Sequence, residues 1–131
     1  MNVKKYKLLL IEDNKLDRMA FVRFVKTAEL PYDCTIAGSV SQALETLESE
    51  QFDVIISDYS LGDGTALDIL DLANNIPIIV VTAADAEETA VNAWKAGAYD
   101  YVRKDLRLDY LQAIPRIITS AINRKKIEDA I

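Results

Sequence analysis

Strand-length runs of largely aliphatic residues alternate five times with segments of helical period, and nothing else limits the fold of this 131-residue chain so tightly. The runs are YKLLLI (6–11), YDCTIA (32–37), DVIIS (53–57, ending at Asp58), PIIVVT (77–82) and YDYVRK (99–104). KLDRMAFVRFVKTAEL (15–30) follows the first, with Leu16, Met19, Ala20, Val22 and Phe24 at helical spacing until Pro31 halts it. SVSQALETLESE (39–50) opens on serine caps and carries Ala43, Leu44 and Leu47 on one face. After the turn LGDG (61–64), TALDILDLANN (65–75) reads as a helix. DAEETAVNAWKAG (85–97) is a fourth helix, with acids in its first turn and Gly97 at its end. From Leu108 onward the pattern stays helix-compatible, interrupted by Pro115, which should bend the first turns through a clash with the Leu111 carbonyl. Strands this rich in Val, Ile and Leu require cover on both faces. The expected architecture is therefore α/β: a doubly wound, five-stranded parallel sheet with five helices, in one domain spanning residues 1–131.

The chain contains no histidine, which removes imidazole bases, imidazole metal ligands and a phosphohistidine from its chemistry. Cys34 is alone, so internal disulfides are excluded, and it reads as a small core residue of the second strand. A net charge of −6 disfavours direct nucleic-acid binding, and the basic NRKK (123–126) reads as the end of a helix. No run approaches the roughly 20 apolar residues that a membrane span requires, and the first residues lack the apolar core of a signal peptide. A cytoplasmic protein with no membrane contact is expected.

The chemistry is read at the strand ends. In open α/β sheets ligands bind beyond the carboxyl ends of the strands. Those ends carry Glu12 and Asp13 after the first strand, Asp58 after the third, Thr82 after the fourth and Lys104 after the fifth. Three clustered carboxylates repel one another, and a hard divalent cation such as Mg2+ relieves the repulsion through oxygen ligands. With the ion in place, a phosphoryl group can approach, and Thr82 and Lys104 can contact the oxygens left free by the metal.

IEDN (11–14), DVIISDYSLGDG (53–64), VVTA (80–83) and GAYDYVRK (97–104) resemble the motifs of the receiver domain of two-component response regulators, over roughly residues 5–120. The resemblance implies a flavodoxin-like fold and a signalling domain that catalyses only its own phosphorylation and dephosphorylation. It makes Asp58 the phosphoacceptor, Glu12 and Asp13 the acidic pair, and Ser60 a magnesium ligand through its backbone carbonyl. Thr82 and Lys104 then bind the phosphoryl group, and Tyr101 is the switch aromatic working with Thr82. The donor implied is a histidine on a sensor kinase or phosphotransfer protein, which fits a chain with no histidine of its own. Two positions depart from the family pattern: Asp105 follows Lys104 where proline through a cis bond is usual, so a trans bond is expected, and Gly62 stands where proline is frequent.

Rival readings fare worse. A mononucleotide binder of similar fold needs hydroxyl and glycine residues where EDNKLD stands, and a dehalogenase-type phosphatase needs an acid where Ser60 stands. A receiver kept only as an interaction module would not need the full set of acids, threonine and lysine. Asp63, beyond the turn, is expected to face solvent, and Trp94 and Asp100 are candidate partner contacts, with Trp94 equally readable as a half-buried packing residue. Ile114, Ile117, Ile118, Ala121 and Ile122 can cover the sheet, whereas Ile127, Ala130 and Ile131 have no evident core to join. Residues 120–131 thus read as an extension of the last helix, either a linker to a downstream output domain or a homodimer seam.

Overall fold

The computed structural model describes residues 4–73, 75–83, 87–105 and 107–131. The elements run β1 (Tyr6–Ile11), α1 (Lys15–Thr27), β2 (Tyr32–Ala37), α2 (Val40–Ser49), β3 (Val54–Asp58), α3 (Ala66–Leu70), β4 (Ile78–Thr82), α4 (Glu87–Lys95), β5 (Asp100–Arg103) and α5 (Tyr110–Ala130). The strands form one parallel sheet in the order β2-β1-β3-β4-β5. After β2 the chain crosses over β1 to reach β3, so the strand order reverses between β1 and β3. The carboxyl ends of those two strands therefore flank the crevice where such folds bind ligands.

Alternation along the strands builds two cores. Leu9, Ile11, Ile55, Ile78 and Val80 face one side, where they meet Ala43 of α2, Ile69 of α3 and Ala93 of α4. Leu8, Leu10, Val54, Ile56, Ile79 and Val81 face the other, against Phe21 and Val25 of α1 and Ile114, Ile118 and Ile122 of α5. Cys34 is half-buried against this second core, and burial first, then the Asp33 charge, pushes its thiol up to about 11. That is the inert filler expected of it.

Several helices differ from the sequence reading in face or length. In α1, Leu16 is 74% exposed and Met19 and Val22 are also exposed, while Phe21 and Val25 are the buried residues. The sheet thus selects a stripe of α1 rotated away from the one read from the pattern. Pro31 does not end α1 either. The Leu30 N–H donates to the Val25 carbonyl at 3.0 Å and the Glu29 N–H to Lys26 at 3.2 Å, with Glu29 at φ 52, a left-handed C-terminal cap on a residue other than glycine. Gly97 plays the same part after α4, with φ +100 and Ala98 N–H on the Ala93 carbonyl at 3.0 Å.

Among the described residues of TALDILDLANN, the helix is Ala66–Leu70. Thr65 and Asp68 form a capping box at its start, and Pro77 bars helical backbone at Ile76. The expected start of α4 at residues 85–86 lies outside the described residues. α5 passes through Pro115 and on to Ala130, so NRKK does not end the helix: Arg124 and Lys125 pair one turn on with Glu128 and Asp129. Ile114, Ile118, Ala121 and Ile122 are buried and Ile117 is packed against the core, as read from the sequence, while Ile127 and Ile131 are exposed. Among the described residues no helix is long and apolar enough to cross a membrane.

Candidate functional site

Each acid at the rim is placed by the end of a strand. The backbone N–H of Glu12 continues the ladder to the Ala37 carbonyl at 3.0 Å, which turns its side chain inward to 4% exposure. Asp13, one residue on, is exposed, and Asp58 closes β3. One oxygen from each of Glu12, Asp13 and Asp58 lies within 4.8 Å of the others, a spacing that can hold a hard cation by oxygen ligands. Lys104 follows β5, its backbone N–H bonded to the Thr82 carbonyl at 2.9 Å, and its bond to Asp105 is trans.

The Lys104 ammonium reaches into this group. It donates to Glu12 Oε1, to Asp17 Oδ2 at 2.9 Å and to Asp58 Oδ2 at 3.0 Å. Its side chain is only 10% exposed. Burial alone would lower its pKa, but the hydrogen bonds to Glu12 and Asp17 and the charge of Asp58 outweigh that and raise it above the ordinary lysine value. Burial pushes the Glu12 carboxyl up to about 7; the Lys104 hydrogen bond opposes the rise and the Asp58 charge adds to it. Glu12 Oε2 also accepts the Asn14 N–H at 3.2 Å. Tyr110 closes the floor, its hydroxyl pushed up to about 12 chiefly by burial.

The loop after Asp58 is tightly tied. Leu61 is buried and its N–H meets the Gly64 carbonyl at 3.0 Å, Ser60 bridges to Thr65, and the Asp63 N–H bonds the Leu61 carbonyl at 2.6 Å across Gly62. Gly62 has φ +69, a conformation proline cannot adopt, so the departure from the family pattern at this position matches the backbone. Asp63 does lie at the surface, but its carboxylate accepts the N–H groups of Val40 at 2.9 Å and Ser41 at 3.0 Å. These two donors hold it below its usual range and splice the loop onto the start of α2.

Thr82 is buried at the end of β4, and Tyr101, opposite Val80 in the β4–β5 register, is half-buried against the core shared by α2, α3 and α4. Trp94 is 65% exposed on α4, and the carboxylate of Asp100 is turned to the Tyr101 N–H at 2.7 Å. The residue missed in the sequence is Asp17. Its signal is positional: a further acid in the first turn of the helix that follows the acid pair, with Asn14 Oδ1 capping its N–H at 3.0 Å.

The family model for the response regulator receiver domain matches residues 8–116. The chain belongs to the response regulator receiver domain family. This receiver domain is 40% identical over 86 residues to the transcriptional regulatory protein ZraR of Escherichia coli K12, covering 63% of this chain and 20% of that protein. It is 33% identical over 102 residues to the DNA-binding transcriptional regulator NtrC of Proteus hauseri, covering 74% of this chain and 22% of that one. The chain thus spans about a fifth of the length of these curated relatives. Among solved structures, a receiver domain protein of Clostridium thermocellum superposes with a TM-score of 0.78 at 26% identity, covering 93% of this chain and 98% of that one. A CheY-like receiver domain of Methanospirillum hungatei shares the fold, with a TM-score of 0.82 at 20% identity and coverage of 95% and 99%.

Proposed function

We propose that this receiver domain accepts a phosphoryl group on Asp58 from a phosphohistidine of a sensor kinase or phosphotransfer protein, with Mg2+ in the acidic cluster. The observation that carries the reading is the placement of the Asp58 carboxylate. It belongs both to the three-acid cluster and to the coordination of the Lys104 ammonium, so it adjoins a cation site and a fixed positive charge at once. In the transfer an Asp58 oxygen forms the new O–P bond, the P–N bond to the donor imidazole breaks, and the imidazole leaves with the bonding electron pair. Glu12, Asp13, Asp58 and the Ser60 carbonyl would hold the ion. Bound there, it offsets the charge of the acids and of the incoming phosphoryl oxygens. Lys104 supplies a charge-assisted hydrogen bond to the phosphoryl group and Thr82 a hydroxyl.

The output would follow from a population shift in which Thr82 moves toward the phosphoryl group and Tyr101 toward the volume it leaves. The face of α4, β5 and α5, with Trp94 and Asp100, would change with it. We further read residues 120–131 as a linker to an output domain or a seam between copies, since Ile127 and Ile131 are exposed.

The direct test is intact-mass analysis after incubation with a small phosphoramidate donor. The expected result is one phosphoryl group, lost in Asp58→Asn and in excess chelator. Full labelling of either control overturns the assignment. For the switch, chemical shifts with beryllofluoride should move at Tyr101 and along residues 87–103; movement confined to the acidic rim refutes it.

A further inference from the structure

We propose that Asp17 is a positioning residue that keeps the Lys104 ammonium aimed at Asp58 once a cation has entered the acidic cluster, an inference that rests on the phosphoacceptor reading of this site. An ammonium has three N–H donors and no acceptor. Here it meets three carboxylates, those of Glu12, Asp17 and Asp58. Glu12 and Asp58 also belong to the cluster that can hold a cation, and Asp17 does not.

A divalent ion draws on the carboxylates it binds, and its charge repels the ammonium beside it. Two of the three anchors of Lys104 therefore weaken as the ion binds. Asp17 alone is shared with nothing in the cluster. It stands in the first turn of α1, fixed by the Asn14 cap, with its carboxylate between solvent and the buried Lys104.

The donor now on Asp58 Oδ2 is the one that can pass to a phosphoryl oxygen when Asp58 is modified. Asp17 holds another donor meanwhile, which orients the head group and keeps a long, rotamer-rich side chain from swinging out to water. Asp17 acts through Lys104 and touches neither phosphorus nor metal.

Two measurements on the full chain test this. In the first, the Lys104 ammonium is followed by 15N–1H NMR, with its signal assigned by loss in Lys104→Arg. The wild-type signal is expected to survive saturating magnesium chloride, and that of Asp17→Asn to vanish by solvent exchange when magnesium is added. In the second, phosphorylation by phosphoramidate is timed across a magnesium titration. Asp17→Asn and Asp17→Ala should lower the maximal rate about tenfold, the loss of one charge-assisted hydrogen bond, while the half-saturating magnesium changes less than about twofold. Asp17→Glu should recover most of the rate.

Survival of the ammonium signal in magnesium-saturated Asp17→Asn overturns the proposal, as does an unchanged maximal rate. A large shift in half-saturating magnesium overturns it too, since Asp17 would then act on the ion. Failure of the wild-type chain to take up phosphoryl overturns the phosphoacceptor reading instead, and the NMR measurement still decides whether Asp17 anchors Lys104.

Discussion

Replacing Glu12 by glutamine keeps its size and removes its charge, and the structure fixes the sign of the change in stability with pH. In the cation-free protein, burial raises the Glu12 carboxyl from its ordinary 4.5 to about 7; the Lys104 hydrogen bond opposes the rise and the Asp58 charge adds to it. Between those two values the folded protein holds a proton that the unfolded chain has released. Stability therefore falls as pH rises through this window, because the folded state binds more protons there. Below pH 4.5 the carboxyl is neutral in both states and costs nothing. Above about pH 7 the cost is complete, and at about 1.4 kcal/mol per tenfold change in proton affinity it reaches about 3 kcal/mol.

Glu12→Gln has no such proton to lose. Relative to wild type, its unfolding free energy should climb by up to about 3 kcal/mol between about pH 4 and pH 8. Urea unfolding followed by circular dichroism, in chelator and at fixed ionic strength, reads this difference. On the proposed Mg2+ reading, magnesium should reverse the trend in wild type, since the ion would bind the deprotonated acid and stabilise the folded state by mass action. That stabilisation should grow with pH across the same window and shrink in Glu12→Gln. A difference between the two proteins that stays flat across that range refutes the reasoning.

Asp63→Ala should lower the melting temperature and speed amide exchange at Val40 and Ser41, whose N–H groups it caps. Because its pKa is lowered, the stability Asp63 contributes is present above its ordinary 3.8 and lost as pH falls through the lowered value, so acid should erase the difference from wild type. Glu29→Gly should raise stability and Gly62→Ala reduce it, each by about 1 kcal/mol in urea unfolding, since both positions have left-handed backbone. Ile114→Ala should cost about 2–5 kcal/mol from the α5 core, and Ile127→Ala less than about 0.5 kcal/mol. A chain ending at Lys126 should then keep its stability, and a lower sedimentation coefficient from lost self-association would mark residues 127–131 as a seam between copies.

The sheet and its two cores were legible because parallel strands buried on both faces leave continuous aliphatic runs, as in Leu8–Ile11 and Ile78–Val81. The face of α1 was not. Leu16, Met19 and Val22 keep helical spacing among themselves, and only the sheet decides that Phe21 and Val25 turn inward. Pro31 masked the true end of α1 because a left-handed glutamate gives no compositional sign of the cap that glycine announces at Gly97. At the site, Glu12, Asp13, Asp58 and Lys104 could be brought together from strand ends alone, since parallel topology sends every carboxyl end to one rim. Asp17 and Asp63 could not. Each is in ordinary surface sequence, and each is recruited by a partner far along the chain: Lys104 for one, the start of α2 for the other.

Those two recruited acids also sort the ways in which a change at Asp58 can travel. On the side of its own loop, the buried Leu61 and the double hydrogen bond of Asp63 to Val40 and Ser41 tie the segment to α2, so motion there must break contacts with the core or a helix start. On the other side, the backbone N–H of Lys104, just past β5, bonds the Thr82 carbonyl of β4, and among the described residues its head group is held by the side chains of Glu12, Asp17 and Asp58. Replacing those partners needs no rung of the sheet to open. If Asp58 is phosphorylated as proposed, the new charge should therefore redistribute the ammonium at lower cost than it shifts the α2 side. The half-buried Tyr101, packed against the core that includes Ala93 of α4, belongs to the strand that Lys104 follows, the path the proposed switch would use.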